Sequence, residues 1–202
     1  MKIISILIKK IWKSIHYEEL QKFIYHFMLN IPFEAIDVFN GDKITMDVEK
    51  NIDKFVNEQR GGLCYENNLV TNAYLKDRGY DTKLLSGYVK PPNKDWKEMD
   101  THLTTLVTID GKDYIADTGF GHFPSQPIPL DGTYVYDEDD IYRIIPAEDQ
   151  DNAYYVQTIK NDGESTEWTD LLFLKMSIEN SVTSMHVMIL RLIIRNMRSK
   201  KC

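Results

Sequence analysis

Three side chains, a cysteine, a histidine and an aspartate, have the types that nucleophilic acyl transfer uses. Cys64 is followed after 38 residues by His102, and His102 after 15 by Asp117. A thiolate nucleophile keeps a histidine as its proton partner, and a third group fixes the imidazole ring. A lone cysteine is more often a small buried hydrophobe than a nucleophile, so its surroundings decide. Cys64 stands where a helix is predicted to begin, with Arg60 four residues before it. Unpaired N–H groups at a helix start and a nearby cation both favour a thiolate. Gly61 and Gly62 are expected to let the backbone turn sharply and to leave room for a substrate beside the sulfur. Of the five histidines, only His102 stands on a predicted strand whose hairpin mate brings a carboxylate alongside. That carboxylate is Asp117, followed by Gly119-Phe120-Gly121 where a strand leaves the sheet. Taken without the cysteine, the pair is as readily a satisfied histidine and a turn-initiating aspartate. Taken with it, the same three residue types serve transfer to water, as in a transglutaminase-like or papain-like hydrolase, or to another acceptor.

Two kinds of element must position these groups. Leu20, Phe23, Ile24, Phe27 and Met28 form the apolar stripe of a helix that Ile31-Pro32 should end, with His26 off the stripe and facing solvent. After a loop containing Asn40-Gly41, Asp47 is placed to cap a second helix through Val48, Ile52, Phe55 and Val56. A third starts near Leu63 or Cys64, is predicted to bury Leu69, Val70, Ala73 and Tyr74, and stops at Gly79. From Thr82 the period becomes that of strands, over Thr82–Val89 and His102–Ile109. Asp110-Gly111 between two strand-like runs is a strong hairpin signal, and pairing across it returns His102 and Asp117 to the same end of the ladder. Further strands are predicted at Tyr142–Ile145, Tyr154–Ile159 and Trp168–Phe173. The acidic run Asp137–Asp140 and His122 are expected on solvated loops. The expected class is α+β. A helical domain, residues 1–81, carries Cys64, and a β-rich domain, residues 82–184, carries His102 and Asp117.

Composition narrows the partners. The 202 residues hold 24 Lys+Arg against 31 Asp+Glu, a net charge of −7, which argues against the electropositive surface of a nucleic-acid binder. Residues 181–202 carry +5 with no acidic residue, leaving −12 on the rest. The basic, apolar beginning of the chain has Ile3–Ile8 as its longest uncharged run, too short for a membrane span or a secretory segment. Two cysteines cannot build a disulfide framework, so reduced thiols and a cytoplasmic setting are expected. No Cys/His cluster has zinc spacing and no Gly-rich phosphate loop is present, so no metal is expected.

RGGLCYENN (60–68) resembles the cysteine signature of the arylamine N-acetyltransferases, IPFEAID (31–37) their proline-phenylalanine-glutamate motif, and GYVKPP with HLTTLVTIDGKDYIADTGFG (87–121) their histidine-to-aspartate hairpin. The resemblance runs from about Leu20 to Leu130 and more weakly to Ser184, departing at Ala35, where asparagine is usual, and at Tyr65, where phenylalanine is. It implies a helical bundle, an antiparallel β-barrel-like domain, a cysteine-protease-like triad and a C-terminal α/β lid. It also implies ping-pong chemistry with acetyl-CoA as co-substrate: Cys64 is acetylated and an arylamine, hydrazine or N-hydroxyarylamine then takes the acetyl group. His102 would be the base and Asp117 would orient it. Phe120 and Val89 would line the acceptor pocket, and Arg60 would pair with Glu34 and Asp37 as a structural tie. After Ser184 the sequence leaves the family pattern. Residues 185–202 are therefore expected to be an aberrant basic tail in place of a complete lid, as in a shortened or frameshifted member, with a genuine basic amphipathic tail or an inactive ligand-binding relative as alternatives.

Overall fold

The computed structural model describes residues 2–90, 102–148 and 150–176, with residues 2–15 as backbone. Helix α1 (Lys2–Asn30) ends where predicted, as Pro32 cannot continue it and Asn30 turns its side-chain amide onto the carbonyl of His26 at 2.7 Å. The short α2 (Ile36–Asn40) occupies a stretch read from the sequence as loop. Helix α3 (Val48–Val56) starts at Asp47, whose carboxylate accepts from the amides of Glu49 and Lys50 at 3.0 and 3.2 Å. Helix α4 (Cys64–Asp77) begins with the cysteine itself.

Eight strands follow among the described residues: β1 (Asp81–Val89), β2 (His102–Ile109), β3 (Lys112–Ala116), β4 (Ile128–Pro129), β5 (Val135–Tyr136), β6 (Asp140–Pro146), β7 (Ala153–Lys160) and β8 (Thr169–Lys175). They form one antiparallel sheet in the order β4-β3-β2-β1-β8-β7-β6-β5, curled so that β4 meets β6 and the barrel is nearly closed. Asp110 and Gly111 both take positive φ, 52° and 76°, in the tight turn that pairs Ile109 with Lys112. The interior is filled by Leu85, Leu106, Ile115, Ile144, Val156 and Leu172. On the other face of the β2–β3 hairpin, Val107, Ile109, Tyr114 and Ala116 pack against Leu20 and Ile24 of α1 and Leu75 of α4. The hairpin is thus covered on both faces.

Three surface readings are corrected. Of the predicted α3 stripe Phe55 is buried, but Ile52 and Val56 are exposed, and the polar Asn51 and Lys54 are buried in their place. Helix α4 buries Asn67, Asn68, Thr71 and Asn72, while Tyr74 is exposed and Leu69 and Ala73 are half-buried. Asp140 is buried at the start of β6 and holds Lys160 and His122 at 2.9 Å each, so the acidic run is not all solvated loop. The tail 185–202 lies outside the described residues.

Candidate active site

Cys64 is the first residue of α4 and is buried beside Leu103 and Tyr65. The helix start is fastened by Glu66, whose Oε2 accepts from the amide of Leu63 at 3.0 Å. Across the interface, His102 opens β2 and Asp117 lies one residue past β3. The imidazole Nε2 meets Asp117 Oδ2 at 2.5 Å, with both residues buried. The Cys64 sulfur is the second group that acts on the imidazole. Burial alone would suppress the imidazolium, but the Asp117 carboxylate and the Cys64 sulfur push His102 up to about 10. Asp117 shows the mirror image. Burial would raise it, and the charge and hydrogen bond of His102 with the backbone amide of Gly119 hold it below the usual carboxylate range. The arrangement sets a sulfur nucleophile, an imidazole that can carry a proton and a carboxylate that orients it side by side.

The Asp117 carboxylate is also bound by a residue the sequence reading passed over. Asn68 Nδ2 donates to Asp117 Oδ1 at 3.1 Å and to the carbonyl of Leu103 at 2.8 Å. Its Oδ1 accepts from the amide of Thr118 at 3.1 Å. The available signal was its place one helical turn after Cys64.

Behind the helix start lies a charged cluster. Arg60 Nη2 reaches Glu34 at 2.7 Å and Asp37 at 2.6 Å, the pairing expected for it. Lys54, unanticipated, inserts between Asp37 at 2.6 Å and Glu66 at 3.0 Å. Its burial opposes the charge, but the two carboxylates raise Lys54 above the usual lysine value. Asp37, despite its own desolvation, is held low by Lys54 and Arg60. Asp37, Lys54, Arg60 and Glu66 line a polar cleft of about 520 Å³ to which Cys64, His102 and Asp117 do not contribute. The two glycines do not open space for a substrate. Neither adopts positive φ, and a Cβ on Gly61 would lie 1.8 Å from the Pro32 carbonyl. Residues 61–62 instead lie against the 32–34 segment, with the Gly62 amide on Pro32 O at 3.2 Å and the Glu34 amide on Gly62 O at 3.1 Å. Phe120 presents its ring edge-on to His102 at 5.3 Å between centroids, and both Phe120 and Val89 pack on the barrel interior.

A family model described as N-acetyltransferase matches residues 16–182. The rat (Rattus norvegicus) arylamine N-acetyltransferase 2 is 32% identical over 147 residues. The chain belongs to the arylamine N-acetyltransferase family. Among arylamine N-acetyltransferases, the pineal gland isozyme of chicken (Gallus gallus) is 41% identical over 105 residues, 52% of this chain and 36% of that relative. The rat alignment covers 72% of this chain and 50% of the relative. The chain spans about half the length, or less, of these two relatives. Among solved arylamine N-acetyltransferases, one from Bacillus cereus superimposes with a TM-score of 0.74 at 27% identity, over 86% of this chain and 68% of that one. That enzyme is described as having a Cys-His-Glu catalytic triad; the carboxylate that meets the histidine here is Asp117. The Mycobacterium marinum enzyme, solved in complex with CoA, gives 0.73 at 26% identity over 89% and 65%. Among the described residues, no helix is long and apolar enough to cross a membrane.

Proposed function

We propose that this arylamine N-acetyltransferase homologue transfers an acetyl group from acetyl-CoA to an arylamine, hydrazine or N-hydroxyarylamine in two steps through Cys64. The observation that carries the reading is the buried Asp117–His102 pair set against a cysteine at the start of a helix. In the first step the thiolate attacks the acetyl carbonyl and an acetyl-Cys64 thioester forms. The CoA sulfur leaves and takes the proton from the imidazolium. In the second, the amine nitrogen attacks the thioester and gives its proton to neutral His102, and the Cys64 sulfur leaves as the thiolate. Asp117 holds the ring in one tautomer and stabilises its charged form. The similarity to an enzyme solved with CoA supports the donor, and the names of the relatives support the arylamine acceptor. Phe120 and Val89 supply an apolar wall for a flat ring.

Incubation with acetyl-CoA should add one acetyl group to the Cys64 peptide by mass, and an added arylamine should remove it. Cys64→Ser should stay unmodified, and His102→Gln should acetylate roughly 10²–10⁴-fold more slowly. Wild-type protein that remains unacetylated would overturn the reading.

A further inference from the structure

We infer that Asn68 is a positioning residue of the acyl-transfer centre, its amide fixing the plane of the Asp117 carboxylate and tying both halves of the His102–Asp117 hairpin to the helix that carries Cys64. The inference rests on Cys64 being the nucleophile. Cys64 and Asn68 lie four residues apart on α4, one above the other on the same face. From there Asn68 reaches both sides of the hairpin. One N–H goes to Asp117 Oδ1 and the other to the carbonyl of Leu103, the residue after His102. Oδ1 takes the Thr118 amide, and the Asn68 backbone carbonyl takes the Thr105 hydroxyl at 3.2 Å. Asp117 Oδ2 points at His102 while Oδ1 is gripped by Asn68 and by the Gly119 amide at 2.8 Å, so the carboxylate cannot rotate without breaking a bond at one of its two oxygens. Side-chain chemistry narrows the position to asparagine. Aspartate would set an oxygen against Asp117 Oδ1 and the Leu103 carbonyl, and two buried carboxylates so close cannot both ionise. Glutamine is one methylene too long for a fully buried place.

The test reads the thiolate and needs no acetyl donor. The rate of iodoacetamide alkylation at the Cys64 peptide is compared at pH 6 and pH 9.5 in the full chain, for wild type, Asn68→Ala, Asn68→Asp and Asp117→Asn, with circular dichroism as the check on folding. An ordinary thiol is only about 0.3% ionised at pH 6, so a held thiolate–imidazolium pair shows at that pH. Both Asn68 variants should lose about tenfold or more at pH 6, as Asp117→Asn should, with the pH 9.5 rate within about twofold of wild type. Asn68→Asp keeps the shape and is the variant to read if Asn68→Ala does not fold. A folded Asn68 variant that melts earlier but keeps the wild-type ratio of the two rates has lost a structural contact only, and the positioning role is overturned. If wild type itself reacts as an ordinary thiol, the nucleophile reading fails and this inference with it. If Asp117→Asn loses the pH 6 rate and the Asn68 variants keep it, only the inference about Asn68 fails.

Discussion

Gly119 stands where the hairpin touches the cysteine helix, and there is no space there for a side chain. A Cβ at this position would come 2.6 Å from Cys64 Cα and 2.9 Å from Asn68 Nδ2, against backbone that cannot yield without moving the nucleophile. Gly119→Ala is therefore expected to lower stability by about 1–3 kcal/mol, read from the urea midpoint, and to slow Cys64 alkylation at pH 6. An alanine variant as stable and as reactive as wild type would show that the close approach is wrong. At this scale Cys64, His102 and Asp117 were legible because each is unusual against its own element: a cysteine at a helix start, and a histidine and an aspartate at matched ends of a hairpin. Asn68 and Lys54 were not. Polar side chains on a helix read as its wet face, and nothing in the local pattern says that the wet face of α4 is turned onto a second layer of polar groups.

The elements meet through those polar faces as much as through apolar ones. Lys54 of α3 joins Asp37 of α2 to Glu66 of α4, and Glu66 in turn holds the amide at the start of the cysteine helix. Removing the cation leaves Glu66 buried with the Leu63 amide as its partner, while Asp37 keeps Arg60, so Lys54→Ala should cost about 3 kcal/mol in urea unfolding. The Lys112–Asp131 pair, at 3.1 Å, is close in length to Lys54–Glu66 but about half exposed on both sides. Lys112→Ala should leave the urea midpoint unchanged, and equal losses in the two variants would mean that burial is not what sets the worth of these pairs. Element existence was legible wherever length and period agreed, in α1, α3, α4 and the hairpin of β2 and β3. The five-residue α2 and the two-residue β4 and β5 are too short to carry a period. Asp140 was misplaced because an acidic run looks solvated whatever one of its members does; here its partners Lys160 and His122 come from elsewhere in the chain.

In the whole molecule the barrel is joined by a pairing no local pattern announces, β1 on β8, with Gly87 opposite Leu174. Such a ladder is set by loop closure and by the shape of the filled interior, so the sequence shows the strands and not their order. The end of the hairpin that meets the start of α4 carries the charged pair, and that pair makes stability depend on pH in a definite direction. His102 has an ordinary value of 6.5 and is pushed up to about 10. Its contribution is complete below about pH 6.5 and is lost as pH rises through about 10. Asp117, lowered from 3.8, contributes above that value and loses its contribution as pH falls through its depressed folded value. The two windows overlap between about pH 4 and pH 6.5. The gap in urea midpoint between wild type and His102→Gln should be widest near pH 6 and narrow toward pH 10, because the wild type alone has an imidazolium to lose. A gap that stays constant across that range, or widens, would mean that His102 is neutral in the folded protein and that the proton relay has to be drawn without an ion pair.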